Sequence, residues 1–127
     1  MECYTHEIGK YTVGYFNPAK GKGHYSEIIK NPRVCFVKLP SDRAFALGEI
    51  PRNLDFVYVD GLHTPDQAYR DIMNSLNFVK IGGVVGGHDF TREYEQLVLP
   101  AVLRVAAETG LVPTVKMPDF WFVKTED

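Results

Sequence analysis

The chain has 127 residues with 45% hydrophobic and 24% charged, which suits one soluble domain around one core, residues 1–127. A net charge of -2 gives no electrostatic ground for a nucleic-acid partner or an anionic membrane. The longest apolar runs are strand-sized and no charged start leads into an apolar stretch, so neither a transmembrane helix nor a signal peptide is expected.

In chain order, Met1 to Cys3 is too short to assign. Tyr4 to Gly23, rich in Gly, Tyr and Lys, reads as a long surface loop. His24 to Lys30 is expected to be a short helix stopped by Asn31 and Pro32. "VCFVKL", Val34 to Leu39, is a strand, and "RAFALGEI" a short helical turn. Cys3 and Cys35 show no zinc spacing and abut apolar residues. They read as buried free thiols of a reducing, cytoplasmic compartment.

"LDFVYVD", Leu54 to Asp60, is the next strand. Thr64 then fits a helix N-cap, Pro65 the first helical position and Gln67 the third. This is a capping box in which each end satisfies a backbone donor of the other. Ala68, Ile72, Leu76 and Val79 form the apolar stripe of that helix, and Gly82 and Gly83 end the segment. "VVGGHDF", Val84 to Phe90, is a third strand. Glu93 to Thr109 is a helix with Leu97, Ala101, Leu103 and Val105 inward, Pro100 kinking it or moving its start, and Gly110 closing it. "LVPTVKM" and "FWFVKT" are strands joined by a turn at Pro118 and Asp119.

Strands alternating with helices predict an α/β fold with a mostly parallel sheet, and the last pair, too close for a crossover helix, must be antiparallel. Ligands of such sheets sit beyond the carboxyl ends of the strands. Asp60 ends one strand, and His88 and Asp89 end the next. Two carboxylates and an imidazole on one rim could hold a divalent cation, with magnesium, calcium or manganese favoured by the oxygen donors. His63, just past Asp60, could act as a general base. The structural alternatives are plain. Asp60 and Asp89 could cap turns, His88 could bond a loop carbonyl, and His63 could be an exposed loop residue. "GKGH", Gly21 to His24, lacks the phosphate-loop pattern and follows no strand.

"LDFVYVDGLH", a capped helix, "VKIGGVVGGHDF" and "FWFVKT" together resemble the C-terminal half of class I S-adenosylmethionine-dependent methyltransferases, in the O-methyltransferase-like branch that reads "IDGDH" and "GGHD". The resemblance covers Val34 to Lys124. It implies a Rossmann-like sheet with an antiparallel C-terminal hairpin, S-adenosylmethionine as cofactor, and a small-molecule hydroxyl as acceptor. Carried onto this chain, it implies that Asp60, His88 and Asp89 bind magnesium near the acceptor oxygen. It also implies that Glu2 bonds the cofactor ribose and that Ser41 and Asp42 lie near the adenine, with Asp60 on the cofactor side as well. The family's "DGDH" is "DGLH" here, so Leu62 replaces an acid and His63 is the remaining candidate base.

The family's first strand and glycine-rich loop have no counterpart. The chain therefore reads as a methyltransferase domain shortened at its N-terminal side, beginning with the family's second strand at "MECYTHE". A sheet without its central strand either exposes two inner edges or closes them up. Two other readings follow: a non-catalytic homodimeric binding module of the same half-fold, and a metal-dependent hydrolase using Asp60, His63, His88 and Asp89.

Overall fold

The computed structural model describes residues 5–6, 37, 39–61, 64–88, 90 and 98–126. The expected helix from His24 to Lys30, both cysteines and most of the expected strand from Val34 to Leu39 lie outside them. So does the expected loop from Tyr4 to Gly23, apart from a two-residue strand β1 (Thr5–His6). Helix α1 (Ser41–Ala46), strand β2 (Leu54–Val59), helix α2 (Pro65–Phe78) and strand β3 (Val79–Gly87) follow. Helix α3 (Leu99–Thr109) and the strands β4 (Thr114–Lys116) and β5 (Asp119–Val123) complete the order.

The sheet runs β1-β2-β3-β5-β4. β2 and β3 are parallel, as a connection through a crossover helix requires. β5 is antiparallel to β3, and β4 to β5, so the C-terminal hairpin forms as its short turn demands. The α/β architecture read from the element order is the one observed. The other edge of β2 pairs antiparallel with β1, Thr5 opposite Val59 and His6 opposite Tyr58. This segment, expected to belong to the family's second strand, thus gives the backbone groups on the carboxyl half of β2 an antiparallel partner.

Local chemistry explains most boundaries. Thr64 Oγ1 accepts from the Gln67 amide at 3.3 Å and Pro65 opens α2, as the capping pattern predicts. The return half of the box does not form, because the Gln67 side chain turns to Asp71 instead, at 2.9 Å. Val79 is extended (φ -81°, ψ 152°), so it begins β3 rather than ending α2. Gly82 and Gly83 lie inside that strand, where they had been expected to terminate the helix. Pro100 sits in the first turn of α3, where a missing N–H costs nothing, and Gly110 closes it at φ 76°. Leu103 is 57% exposed, against its expected inward position. Ala101, Val102 and Val105 form the buried stripe instead, and Leu103 falls off that face.

The core lies between one face of the sheet and the helices. Val57, Val59, Val85, Phe120 and Phe122 meet Ile72, Leu76, Val102 and Val105 there. Each such side chain contributes about 1.5–3 kcal/mol on burial. The other face carries Phe56, Tyr58, Val84 and Trp121, which border a shallow groove of about 330 Å³.

Gly86 and Gly87 serve one face each. A Cβ on Gly87 would lie 2.5 Å from Cζ of Phe120 and 3.0 Å from the Val59 carbonyl oxygen. The Phe120 ring occupies the space that a side chain would need. A Cβ on Gly86 would meet the Phe120 carbonyl oxygen at 3.2 Å and Cδ2 of Tyr58 at 3.8 Å, on the groove side.

A polar cluster joins α1 to α2. Ser41 donates to Asp71 Oδ1 at 2.6 Å, and the Gln67 amide nitrogen donates to the same oxygen. Asp42 accepts from Asn74 at Oδ1 and from Arg70 at Oδ2, both at 3.2 Å. Asp71 is 1% exposed, and its Oδ2 has no hydrogen-bond partner. Burial outweighs the two hydrogen bonds to its ionised form and pushes its carboxyl up to about 6 from an ordinary 3.8. A raised pKa means that the folded state holds the proton more tightly than the unfolded chain does. Its stabilising effect is full below pH 3.8 and is lost as pH rises through about 6.

Two predictions follow from this packing. Gly87→Ala forces Phe120 from its place and should cost about 1–3 kcal/mol, read as a lower urea midpoint; an unchanged midpoint would show that the ring has room to move. Asp71→Asn carries no charge at any pH. Relative to the parent, it should gain on the order of 3 kcal/mol between about pH 4 and pH 7.5. A stability difference independent of pH would exclude the buried carboxylate as its source.

Candidate functional site

Parallel pairing brings the carboxyl ends of β2 and β3 to one rim, with Val59 in register with Gly87. The next residues are Asp60 and His88. The His88 amide donates to the Val59 carbonyl at 3.3 Å, which continues the pairing one step past the strand. Asp60 and His88 border one small cavity together with Gly61, Ala68, Ile72 and Val98. Its volume, about 10 Å³, is that of a single water, so a larger ligand would approach this rim from outside.

The third member of the rim comes from the hairpin. Gly87 is opposite Phe120 in the antiparallel pair, so the next step sets Asp119 against His88. His88 Nδ1 lies 3.0 Å from Asp119 Oδ1, and the Tyr58 hydroxyl donates to the same oxygen at 2.9 Å. These bonds, that from His88 foremost, hold the Asp119 carboxyl below its usual range. The two partners remain 40% and 47% exposed, so the pair is open to solvent and to ligands. Two further contacts fix it: the Phe90 amide donates to the Pro118 carbonyl at 3.0 Å, and the Phe90 and Phe120 ring centroids lie 6.0 Å apart. Asp119 and Tyr58 were not among the residues singled out from sequence. Asp119 reads there as a turn residue, and only the strand register connects it with His88.

The other expected site residues fall into two groups. Glu2, His63 and Asp89 lie outside the described residues. Ser41 and Asp42 open α1 and belong to the cluster with Asp71. The Ser41 hydroxyl is buried and engaged on both sides, donating to Asp71 and accepting from Gln67 at 3.3 Å. The Asp42 side chain accepts from Asn74, Arg70 and Gln67 yet stays 41% exposed. A carboxylate has about four acceptor positions, so an outward ligand donor can still be accommodated there. Among the described residues, no group of three or more His, Cys, Asp and Glu is arranged to hold a metal ion, and of the expected ligand set only Asp60 and His88 are described. No helix among the described residues is long and apolar enough to cross a membrane.

Comparisons with known proteins bear on the family and the fold. A family model described as a methyltransferase domain matches residues 6–90, a span that holds β2, β3 and both strand-end residues. Among solved structures, the chain is similar to a crystal structure of a candidate O-methyltransferase from Klebsiella pneumoniae. The TM-score is 0.58 and the identity 17%, over 83% of this chain and 59% of that one. At that identity the likeness shows the fold alone, and the chain spans 59% of the length of that protein. No curated protein matches the chain. With its family match over most of the chain and a sheet of the same fold, the protein belongs to the methyltransferase-domain family, the class I S-adenosylmethionine-dependent methyltransferases.

Proposed function

We propose that the chain serves methyl transfer from S-adenosylmethionine to a hydroxyl oxygen of a small-molecule acceptor. The observation that carries this reading is the rim itself: Asp60 and His88 end adjacent parallel strands inside the matched span. Acceptor-rich groups at that edge suit the cofactor's hydroxyls and amine, which are donors. When bound, the cofactor supplies an activated methyl group. Asp60 would accept from its hydroxyls, and Asp42 would accept from the adenine amine beside the buried Ser41 anchor. From sequence position, Glu2 is the proposed ribose partner and His63 the proposed acceptor of the substrate proton. Orientation of the acceptor oxygen then contributes most of the rate, since positioning alone can lower a barrier by about 7–11 kcal/mol.

A finer form of the same reading adds magnesium at Asp60, His88 and Asp89. The ion would hold the acceptor oxygen and favour its ionised form. Oxygen donors suit that metal, and Asp60 and His88 share the rim.

Calorimetric titration with S-adenosylhomocysteine tests the cofactor assignment. Heat of binding at or below millimolar ligand is expected. Asp60→Asn should weaken the affinity by about tenfold or more, the loss typical of one charge-assisted hydrogen bond. No heat at millimolar ligand would sink cofactor binding by this chain. Repeating the titration with magnesium present and after chelation tests the metal separately: if neither affinity nor methyl transfer responds, the magnesium assignment fails and the cofactor assignment stands.

A further inference from the structure

We infer that Asp119 is a positioning residue: its carboxylate fixes His88 as the tautomer with hydrogen on Nδ1 and the lone pair on Nε2. The functional meaning rests on the methyl-transfer reading above, but the tautomer itself can be measured without any activity.

The argument begins with donor and acceptor roles. An ionised carboxylate can only accept, and a neutral imidazole has one donor nitrogen and one acceptor nitrogen. His88 Nδ1 stands 3.0 Å from Asp119 Oδ1, so Nδ1 must carry the hydrogen for the contact to be a bond. The second nitrogen is then the acceptor. Asp119 is held for this task from three directions. The Tyr58 hydroxyl bonds the same oxygen at 2.9 Å. The pairing of Gly87 with Phe120 fixes its strand. The Phe90 amide, two residues past His88, bonds the Pro118 carbonyl next to Asp119. The histidine is held in turn through its own amide on Val59.

The consequence lies at the rim shared with Asp60. In this form Nε2 is an acceptor, the polarity that suits either a hydroxyl hydrogen or the cation proposed above, one in place of the other. The opposite tautomer would present a donor at that position and repel the same hydroxyl hydrogen. One buttressing carboxylate thus selects which polarity the ring shows to a ligand, as carboxylates behind functional histidines do generally.

Long-range proton–nitrogen NMR on the labelled full chain, at a pH where the imidazoles are neutral, reads the tautomer directly. Loss of one signal set in His88→Gln assigns His88 among the four histidines. The parent should show the Nδ1–H form in excess by about ten to one, the ratio set by a charge-assisted bond at the weak end of its range. Asp119→Ala should shift His88 toward Nε2–H, and Tyr58→Phe should leave the parent tautomer in place. An Nε2–H form or an even mixture in the parent overturns the inference, whether or not any variant folds. Retention of the Nδ1–H form in a folded Asp119→Ala overturns it too. Failure of S-adenosylhomocysteine to bind the parent would instead strike the function and leave the tautomer assignment standing.

Discussion

The contact on which most of the sheet depends is the Phe120 ring lying where Gly87 has no side chain. Any Cβ at position 87 would come within 2.5 Å of that ring, so β5 can lie against β3 only because β3 ends in glycine. With the ring seated, the antiparallel register is set, and everything beyond it follows. Phe120 and Phe122 enter the core beside Ile72 and Val105. Asp119 arrives at the rim opposite His88. On the other face a Cβ on Gly86 would be tight only against the Phe120 carbonyl oxygen, at 3.2 Å, and the Tyr58 ring there reaches Asp119 with its hydroxyl.

A second constraint acts at the helix layer. Asp71 is buried with one oxygen unpartnered, and this is an expensive arrangement for a carboxylate. It is tolerated because Ser41 and Gln67 meet the other oxygen and because the raised pKa lets the group stay protonated over part of the pH range. The same cluster fixes the start of α1, and with it Asp42. A residue expected on the cofactor side is therefore positioned by a polar knot beneath it. A short helix of six residues has little stability of its own, so these side-chain bonds to α2 account for its placement.

Much of this was legible in the sequence, and the parts that were not share one cause. Thr64, Pro65 and the spacing of Ala68, Ile72 and Leu76 announce α2 because capping and amphipathic periodicity are local properties. The alternation of elements announces the parallel pair and the final hairpin. Asp60 and His88 stand out because each ends an apolar strand. What local pattern cannot convey is register. Gly82 and Gly83 look like a helix stop, yet they lie in the middle of β3, at an irregularity between its pairings with β2, where both bond the main chain of Lys124. The capping box looks reciprocal, yet Gln67 leaves it for a buried carboxylate that only the folded chain brings near. Asp119 looks like turn chemistry, and 31 residues of chain separate it from His88.

The division between strand-end residues and hairpin residues explains how the rim can combine order with access. Asp60 and His88 leave the ends of parallel strands, where the backbone no longer has a full ladder to hold it. Left alone, an imidazole at such a position would sample several rotamers and both tautomers. The hairpin supplies the missing restraint from across the sheet, through one carboxylate oxygen and one main-chain carbonyl. That support comes from the side of β5. The pair stays roughly half exposed while its geometry is fixed, which is what a ligand-facing group requires: the ordering of the imidazole is completed during folding, so less of it has to be supplied when a ligand binds.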